Sequence, residues 1–146
     1  MAGEYNVNLP GVLVVFKALI KNSKEEILLV KRSNYVSWYS GKWENPGGRL
    51  KPGEDIATVL EREVLEEVNV AINFNKIPFW VETRMSIQDK NMPVIMLFYE
   101  STIKSGEIKL GEEHTEYKWV SIEEALKMQD VVPETIDALT TLTTTR

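Results

Sequence analysis

From Gly53 to about Asn69 the chain carries a pattern that suits a helix, set between runs that suit strands. At the ~100° per residue of an ideal α-helix, Ala57, Leu60, Val64 and Val68 fall on one side as an apolar stripe. The flanking runs are apolar and β-branched: GVLVVFKALI at 11–20, EILLVKR at 26–32 after the polar turn KNSKE, and candidates around 76–86 and 92–103. The first two read as a strand pair. MPVIMLFYEST at 92–102 is apolar enough for a buried central strand. GEIKL (106–110) and EYKWV (116–120) read as shorter strands. A helix with a single apolar stripe among strands has to cover a sheet, so the expectation is one mixed α/β domain over 1–146, with helices on the sheet faces.

Punctuation elsewhere fits that plan. Ser121, with Glu124 three residues on, is a capping-box signature opening SIEEALKM, and Pro133 suits the first turn of a last helix, PETIDALTTL. The tail TTTR is expected to fray. YVSWYSGKWENPGG, 35–48, mixes aromatic residues with Gly, Pro and Asn without a clean period and reads as loop material.

Composition removes several classes of function. Seventeen basic against twenty-two acidic residues give a net charge of −5, and no basic stripe is present to follow a polynucleotide backbone, so polymeric nucleic acid is not an expected partner. The absence of cysteine rules out disulfides, iron–sulfur clusters and thiolate zinc sites, and is compatible with a reducing cytoplasm. MAGEYNVNLP lacks the basic and apolar regions of a signal peptide, and no apolar run approaches the ~20 residues of a membrane span. The expectation is a soluble cytoplasmic protein with no membrane association.

The helical segment has a second edge that propensity does not explain. Glu63, Glu66 and Glu67 lie within about a third of the circumference, beside the apolar stripe, with Arg62 as the only obvious intrahelical cation. Glu63 and Glu67 are an i, i+4 pair of like charge, and Glu66 and Glu67 sit at the end where the macrodipole favours cations. Glu54, after KPG at the helix start, is explained as a capping-region carboxylate. A solvated acidic face accounts for the pattern if nothing binds there. A hard divalent cation, Mg²⁺ or Mn²⁺, accounts for it if something does, because such ions prefer oxygen ligands and carry substrate phosphates. The PGG turn at 46–48 tilts the choice, since glycine permits close backbone approach to a ligand and exposes carbonyls able to reach a metal.

The run GRLKPGEDIATVLEREVLEEVNV, Gly48 to Val70, closely resembles the Nudix box: G, five residues, E, seven residues, then R-E-U-x-E-E-x-G-U with U a bulky aliphatic. Gly48, Glu54, Arg62, Glu63, Val64, Glu66, Glu67 and Val70 are in register. Asn69 stands where the family has glycine, and asparagine is the next most tolerant residue of the left-handed conformation expected there. Trp43 shortly before PGG, and E-H-x-E-Y-x-W-V at 113–120 followed by a helix, resemble MutT-type members.

The resemblance implies an α/β/α sandwich with a mixed sheet, and hydrolysis of a diphosphate bond in a nucleoside diphosphate derivative, such as a (deoxy)nucleoside triphosphate or modified nucleotide. By position in the box, Glu66 and Glu67 resemble metal ligands, Glu63 a ligand or the general base, and Arg62 the arginine that orients a catalytic glutamate. Gly47 would lend its carbonyl to the metal and Gly48 would lie against substrate. Outside the box, Glu112, Glu113 and Glu116 are candidates for an additional ligand or base, and the spacing to Trp119 favours Glu113. Trp38 and Tyr39 are the candidates for contact with a base, whereas Trp80 and Trp119 are expected in the core and His114 is expected to be structural or exposed rather than catalytic. Met85, Ser86 and Ile87 stand where some subfamilies carry a proline or tyrosine associated with ADP-ribose or dinucleoside polyphosphates, so neither marker is present. A homodimer is compatible with the resemblance. The competing expectation is a non-catalytic nucleotide-sensing or protein-binding module on the same fold.

Overall fold

The computed structural model describes residues 11–87 and 92–144, so MAGEYNVNLP and the last two residues of TTTR lie outside it. In chain order the elements are β1 (Leu13–Lys21), β2 (Ile27–Arg32), β3 (Trp43–Glu44), β4 (Gly47–Arg49), α1 (Ile56–Val68), β5 (Ala71–Phe74), β6 (Trp80–Met85), β7 (Pro93–Ser105), β8 (His114–Val120), α2 (Ile122–Lys127) and α3 (Pro133–Thr144). All the strands join one mixed sheet whose main path runs β3-β2-β1-β7-β5, with β4 on β1, β6 on β7 and β8 on β2. β1 and β7 pair in parallel from Leu13↔Val94 to Lys21↔Thr102, and the remaining ladders are antiparallel.

The two-residue period of β1 and β2 divides the core between the two faces of the sheet. Phe16, Ala18, Ile20, Leu28 and Val30 pack with Tyr99 against Val59, Leu60, Val64 and Val68 of α1. The alternate residues Leu19, Ile27 and Leu29 pack with Trp43 and Val120 against Ala125 of α2 and Leu139 and Leu142 of α3. A strand buried on both faces reads as a continuous apolar run, and that is how β1, β2 and β7 read. The result is the expected α/β/α sandwich. Trp119 packs against the first cluster, and Trp80 against a third cluster built on Met96, Phe98 and Ala138.

Three segments differ from their sequence reading for identifiable reasons. The loop of 35–48 contains β3 and the start of β4, each too short for a period to show, and Ala71–Phe74, which no periodic signal marked, forms β5. GEIKL is not a strand. Its extended chain instead completes the C-terminus of α1, where Lys109 N–H donates to Val68 O at 3.0 Å and Gly111 N–H to Glu67 O at 2.9 Å. The last carbonyls of a helix lack intrahelical donors, and these amides supply them. The C-terminal end of α1 thus tolerates its acidic residues without a basic side chain in the last turn.

The helix starts at Asp55, whose carboxylate accepts from Thr58 N–H at 2.8 Å, and ends at Asn69 in the left-handed conformation, φ 64° and ψ 27°. Asn69 N–H donates to Leu65 O at 3.0 Å, and its side-chain amide donates to Glu107 O at 3.2 Å. Asn69→Ala is expected to lower stability by about 1 kcal/mol, because alanine tolerates φ > 0 poorly and loses the link to Glu107. Chemical denaturation would check this, and an unchanged midpoint would contradict the role given to the side chain. At the other helix, Glu124 N–H donates to Ser121 Oγ at 3.0 Å, as the capping signature requires. α3 runs on into the tail expected to fray, through Thr144.

Candidate active site

One face of α1, the β4 turn and the loop before β3 meet at a cavity of about 320 Å³, in the usual range for small-molecule sites. Trp38, Tyr39, Gly47, Gly48, Glu63, Glu67 and Glu113 all line it. Arg62 and Glu66 do not. Arg62 bridges from the helix to Glu54 in a two-point ion pair (Nε to Oε2 2.9 Å, Nη2 to Oε1 3.1 Å), and its Nη1 reaches Glu63 Oε1 at 3.0 Å. Glu66, exposed on the outer side, pairs with the same Nη1 at 3.4 Å. Glu54 is therefore more than a capping carboxylate: the Arg62 hydrogen bond holds it below its ordinary range, and it anchors the fork that orients Glu63.

Glu63 and Glu67 occupy different environments. Glu67 is buried, and its Oε2 accepts from Gly47 N–H at 2.9 Å. Burial pushes its carboxyl well above the usual range, against the pull of Lys17 and with repulsion from Glu44 and Glu63. Glu63 is raised by burial as well, despite Arg62, with Glu66 and Glu113 adding repulsion. The two glycines are required by close approach. A Cβ on Gly48 would lie 2.3 Å from the carboxyl carbon of Glu63, and one on Gly47 would lie 2.0 Å from Phe16 O. The approach that glycine allows at position 48 is to Glu63 itself.

Among the described residues no three acidic or imidazole groups stand close enough together to hold a metal ion. Arg62 gathers Glu63 and Glu66 while Glu67 turns inward to the β4 amide, an arrangement that keeps like charges apart. The residues nonetheless fit a hard divalent cation: Glu63, Glu67 and Glu113 on the cavity wall offer carboxylate oxygens, and a buried carboxylate raised by burial and by like charges is one whose charge is under-compensated.

In the cavity wall lies a charged cluster that sequence reading missed. Glu44 is buried and accepts from Lys17 Nζ at 3.1 Å and Arg32 Nη1 at 2.9 Å, with His114 Nε2 2.9 Å from Oε2. Burial by itself would raise its carboxyl, but Lys17, His114 and Arg32 together hold it well below the ordinary range. Lys17 is correspondingly raised by Glu44 and Glu67 in spite of its burial. His114 is buried, the structural rather than the exposed of its two expected placements. One signal was available: Lys17 is a single charge inside the apolar run VVFKALI, and a buried lysine needs a partner.

Trp38 holds cations on its ring. The guanidinium carbons of Arg32 and Arg49 lie 5.2 and 5.5 Å from its centroid, and Arg32 Nε–H donates to Trp38 O at 3.0 Å. Tyr39, at φ 51°, donates its hydroxyl to Glu134 Oε1 at 3.0 Å. Glu116, the alternative acidic candidate on β8, is exposed and pairs with Lys31 at 3.6 Å, and it is absent from the cavity wall.

A sheet covered on both faces, with carboxylates of α1 and several cations lining one cavity, defines the class of fold and site. The model of the NUDIX domain matches residues 12–140, and the chain belongs to the Nudix hydrolase family, the nucleotide pyrophosphohydrolases. It is 28% identical over 104 residues to the nucleoside triphosphatase NudI of Escherichia coli, covering 66% of this chain and 74% of the relative. The MutT protein of Methanosarcina mazei superposes with a TM-score of 0.83 at 28% identity, over 96% of this chain and 98% of that one. The NUDIX domain of Shewanella oneidensis NrtR, solved with ADP ribose, shares the fold at a TM-score of 0.72 and 17% identity, over 99% and 94% of the two chains. No helix among the described residues is long and apolar enough to cross a membrane.

Proposed function

We propose that this protein is a divalent-metal-dependent pyrophosphohydrolase acting on a small (deoxy)nucleoside triphosphate. The observation that carries the reading is the pair Glu63 and Glu67: both are raised by burial, both line one cavity, and Lys17, Arg32, Arg49, Lys51 and Arg84 line it with them. The name of the nucleoside triphosphatase NudI, 28% identical over 104 residues, supports the substrate class. Carboxylates and cations on the same wall match a substrate whose phosphates bind through both.

Glu67, Glu66, Glu63 and the Gly47 carbonyl would hold Mg²⁺ or Mn²⁺, with Glu66 and Glu63 swinging from Arg62. The ion would neutralise charge on the transferred and leaving oxygens. Arg32 and Arg49, whose guanidinium groups lie over the Trp38 ring, bind phosphate oxygens through their planar forks. Glu63 or Glu113 accepts the proton of the attacking water, which adds to one phosphorus while the bridging oxygen leaves with the neighbouring phosphate. Arg62, fixed by Glu54, positions Glu63 for that work. The intact box glutamates favour this reading over a non-catalytic module.

The test is phosphate release, with and without added inorganic pyrophosphatase, over nucleoside triphosphates, nucleotide sugars, ADP-ribose and dinucleoside polyphosphates, in Mg²⁺, Mn²⁺ or EDTA. Triphosphate turnover that stops in EDTA is expected, along with a metal-dependent rise in Tm. Turnover that persists in EDTA would reject the metal site, and turnover confined to another substrate class would reject the triphosphate.

A further inference from the structure

We propose that Lys17 is a built-in counter-cation to the carboxylates of the cavity, one that keeps the free protein's affinity for a divalent ion low, so that metal is taken up chiefly together with substrate phosphates; the inference rests on the metal reading above. Lys17 is the single charge in the apolar run VVFKALI. Its side chain is 12% exposed and lines the cavity. Its Nζ donates to Glu44 Oε1 and to Asn45 O, each at 3.1 Å, which occupies two of the three ammonium donors. The residue also stands against the site glutamate. Its ladder partner is Gly47, a Cβ on Gly47 would lie 2.8 Å from the Lys17 Cα, and Gly47 N–H is the group that donates to Glu67 Oε2. Glu44 and Glu67 together keep the ammonium charged in spite of its burial.

A purely structural lysine would serve Glu44 alone. Glu44 has other partners, however: Arg32 Nη1 and His114 Nε2 each lie 2.9 Å from its Oε2. Sinking a further ammonium into a strand that an apolar residue would continue is costly, so partnership with Glu44 leaves part of that cost unaccounted for.

Charge balance accounts for it. Among the described residues, five basic and five acidic side chains line the cavity, a formal sum of zero in a chain whose net charge is −5. In the part of the wall nearest Glu67, the largely buried Lys17 and Arg32 stand against the buried Glu44 and Glu67. Those are two cations for two carboxylates when Glu67 is ionised, and an excess of cation when it holds its proton. In neither state does a divalent ion arriving alone meet net negative charge there, and away from bulk water one neighbouring unit charge weighs heavily on the binding of a doubly charged ion. An ion that arrives on a triphosphate brings its own compensating charge, in keeping with the general preference of Mg²⁺ for one or two carboxylates plus substrate phosphates. Lys17 thus biases loading toward the metal–nucleotide complex.

The probe is Mn²⁺ alone, titrated into the metal-free full chain with no nucleotide present, the unbound ion being measured by electron paramagnetic resonance. Lys17→Met keeps the length and apolar stem of the side chain and removes its charge. It is expected to bind Mn²⁺ about tenfold or more tightly than the wild type, whereas Lys17→Arg, which keeps the charge, should stay within about threefold of it. A tighter site is a gain, which damage to the fold does not produce. If Lys17→Met does not fold, Lys17→Gln, which retains a donor for Glu44, takes its place with the same expectation. Adding Glu67→Gln to the charge-removing variant should abolish the gain. Affinity in that variant equal to or weaker than the wild type's would overturn the inference, leave Lys17 as a structural partner of Glu44 and leave the metal reading intact. A tenfold gain in Lys17→Arg as well, or a gain that survives Glu67→Gln, would also overturn it, since the cause would then be neither the charge nor this carboxylate. Failure of the wild type and of every variant to bind Mn²⁺ at millimolar concentration would sink the metal reading itself and the inference with it.

Discussion

Replacing Glu67 with glutamine is expected to lower kcat on the order of 10³-fold while the metal-free protein becomes more stable at neutral pH. The loss follows from removing a buried charge that the transition state uses through the metal, comparable to deleting a preorganised electrostatic contact. The gain follows from linkage. The Glu67 carboxyl is raised above its ordinary 4.5 by burial, so the contribution of this one group to stability is greatest below about pH 4.5 and falls as pH rises through the raised folded value. Glutamine keeps the bond from Gly47 N–H and never ionises, so its stability should be flatter over that window. Mg²⁺ should raise the Tm of the wild type and leave that of the variant nearly unmoved. Turnover within tenfold of wild type, combined with an undiminished Mg²⁺ shift, would remove Glu67 from the site.

Glu44→Gln should damage the fold more than any other conservative change in this region. Removing the charge strands Lys17 and Arg32, whose side chains are 12% and 11% exposed, and breaking a buried ion pair from one side costs about 3–5 kcal/mol. For a chain of this size that corresponds to a Tm lower by roughly 10 °C. The pH dependence has the opposite sign to that of Glu67. Glu44 is held below 4.5 in the fold by Lys17, His114 and Arg32, outweighing its burial. Its contribution is present above pH 4.5 and is lost as pH falls through the depressed folded value. The wild type should therefore lose more stability on acidification than the variant. Denaturant unfolding between pH 3 and 8 would show parallel curves if the cluster contributes nothing.

The sequence carried the site unevenly. Contiguous residues were readable because a helix converts spacing into direction: Glu63 and Glu67, four apart, emerge on one side of α1 beside the stripe Leu60, Val64 and Val68 that buries it. The strand runs were readable because burial on both faces leaves no polar alternation. GEIKL misled for a complementary reason. Its extended backbone is real, but its amides cap α1 rather than a neighbouring strand, and local pattern does not say which acceptor an extended segment will meet. β3, at two residues, is held by its register with β2, Val30↔Glu44 and Lys31↔Trp43, which is long-range information.

Residues that act at a distance were silent for the same reason. Tyr39 and Glu134 are 95 positions apart, and Glu44 and His114 are 70 apart. Nothing in the neighbourhood of either member announces its partner. By itself the sequence determined the acidic helix, the glycines that let the backbone approach it and the two-faced strands beneath, since each is a local matter of spacing, steric size and hydrophobic period. Tertiary structure decided what those glycines approach, which cations line the cavity, and that Glu134, a carboxylate near the other end of the chain, lines it too. These outcomes depend on sheet order and on helix α3 packing across β1 and β7, and the free energy of a buried charge is set by whichever groups the fold places around it.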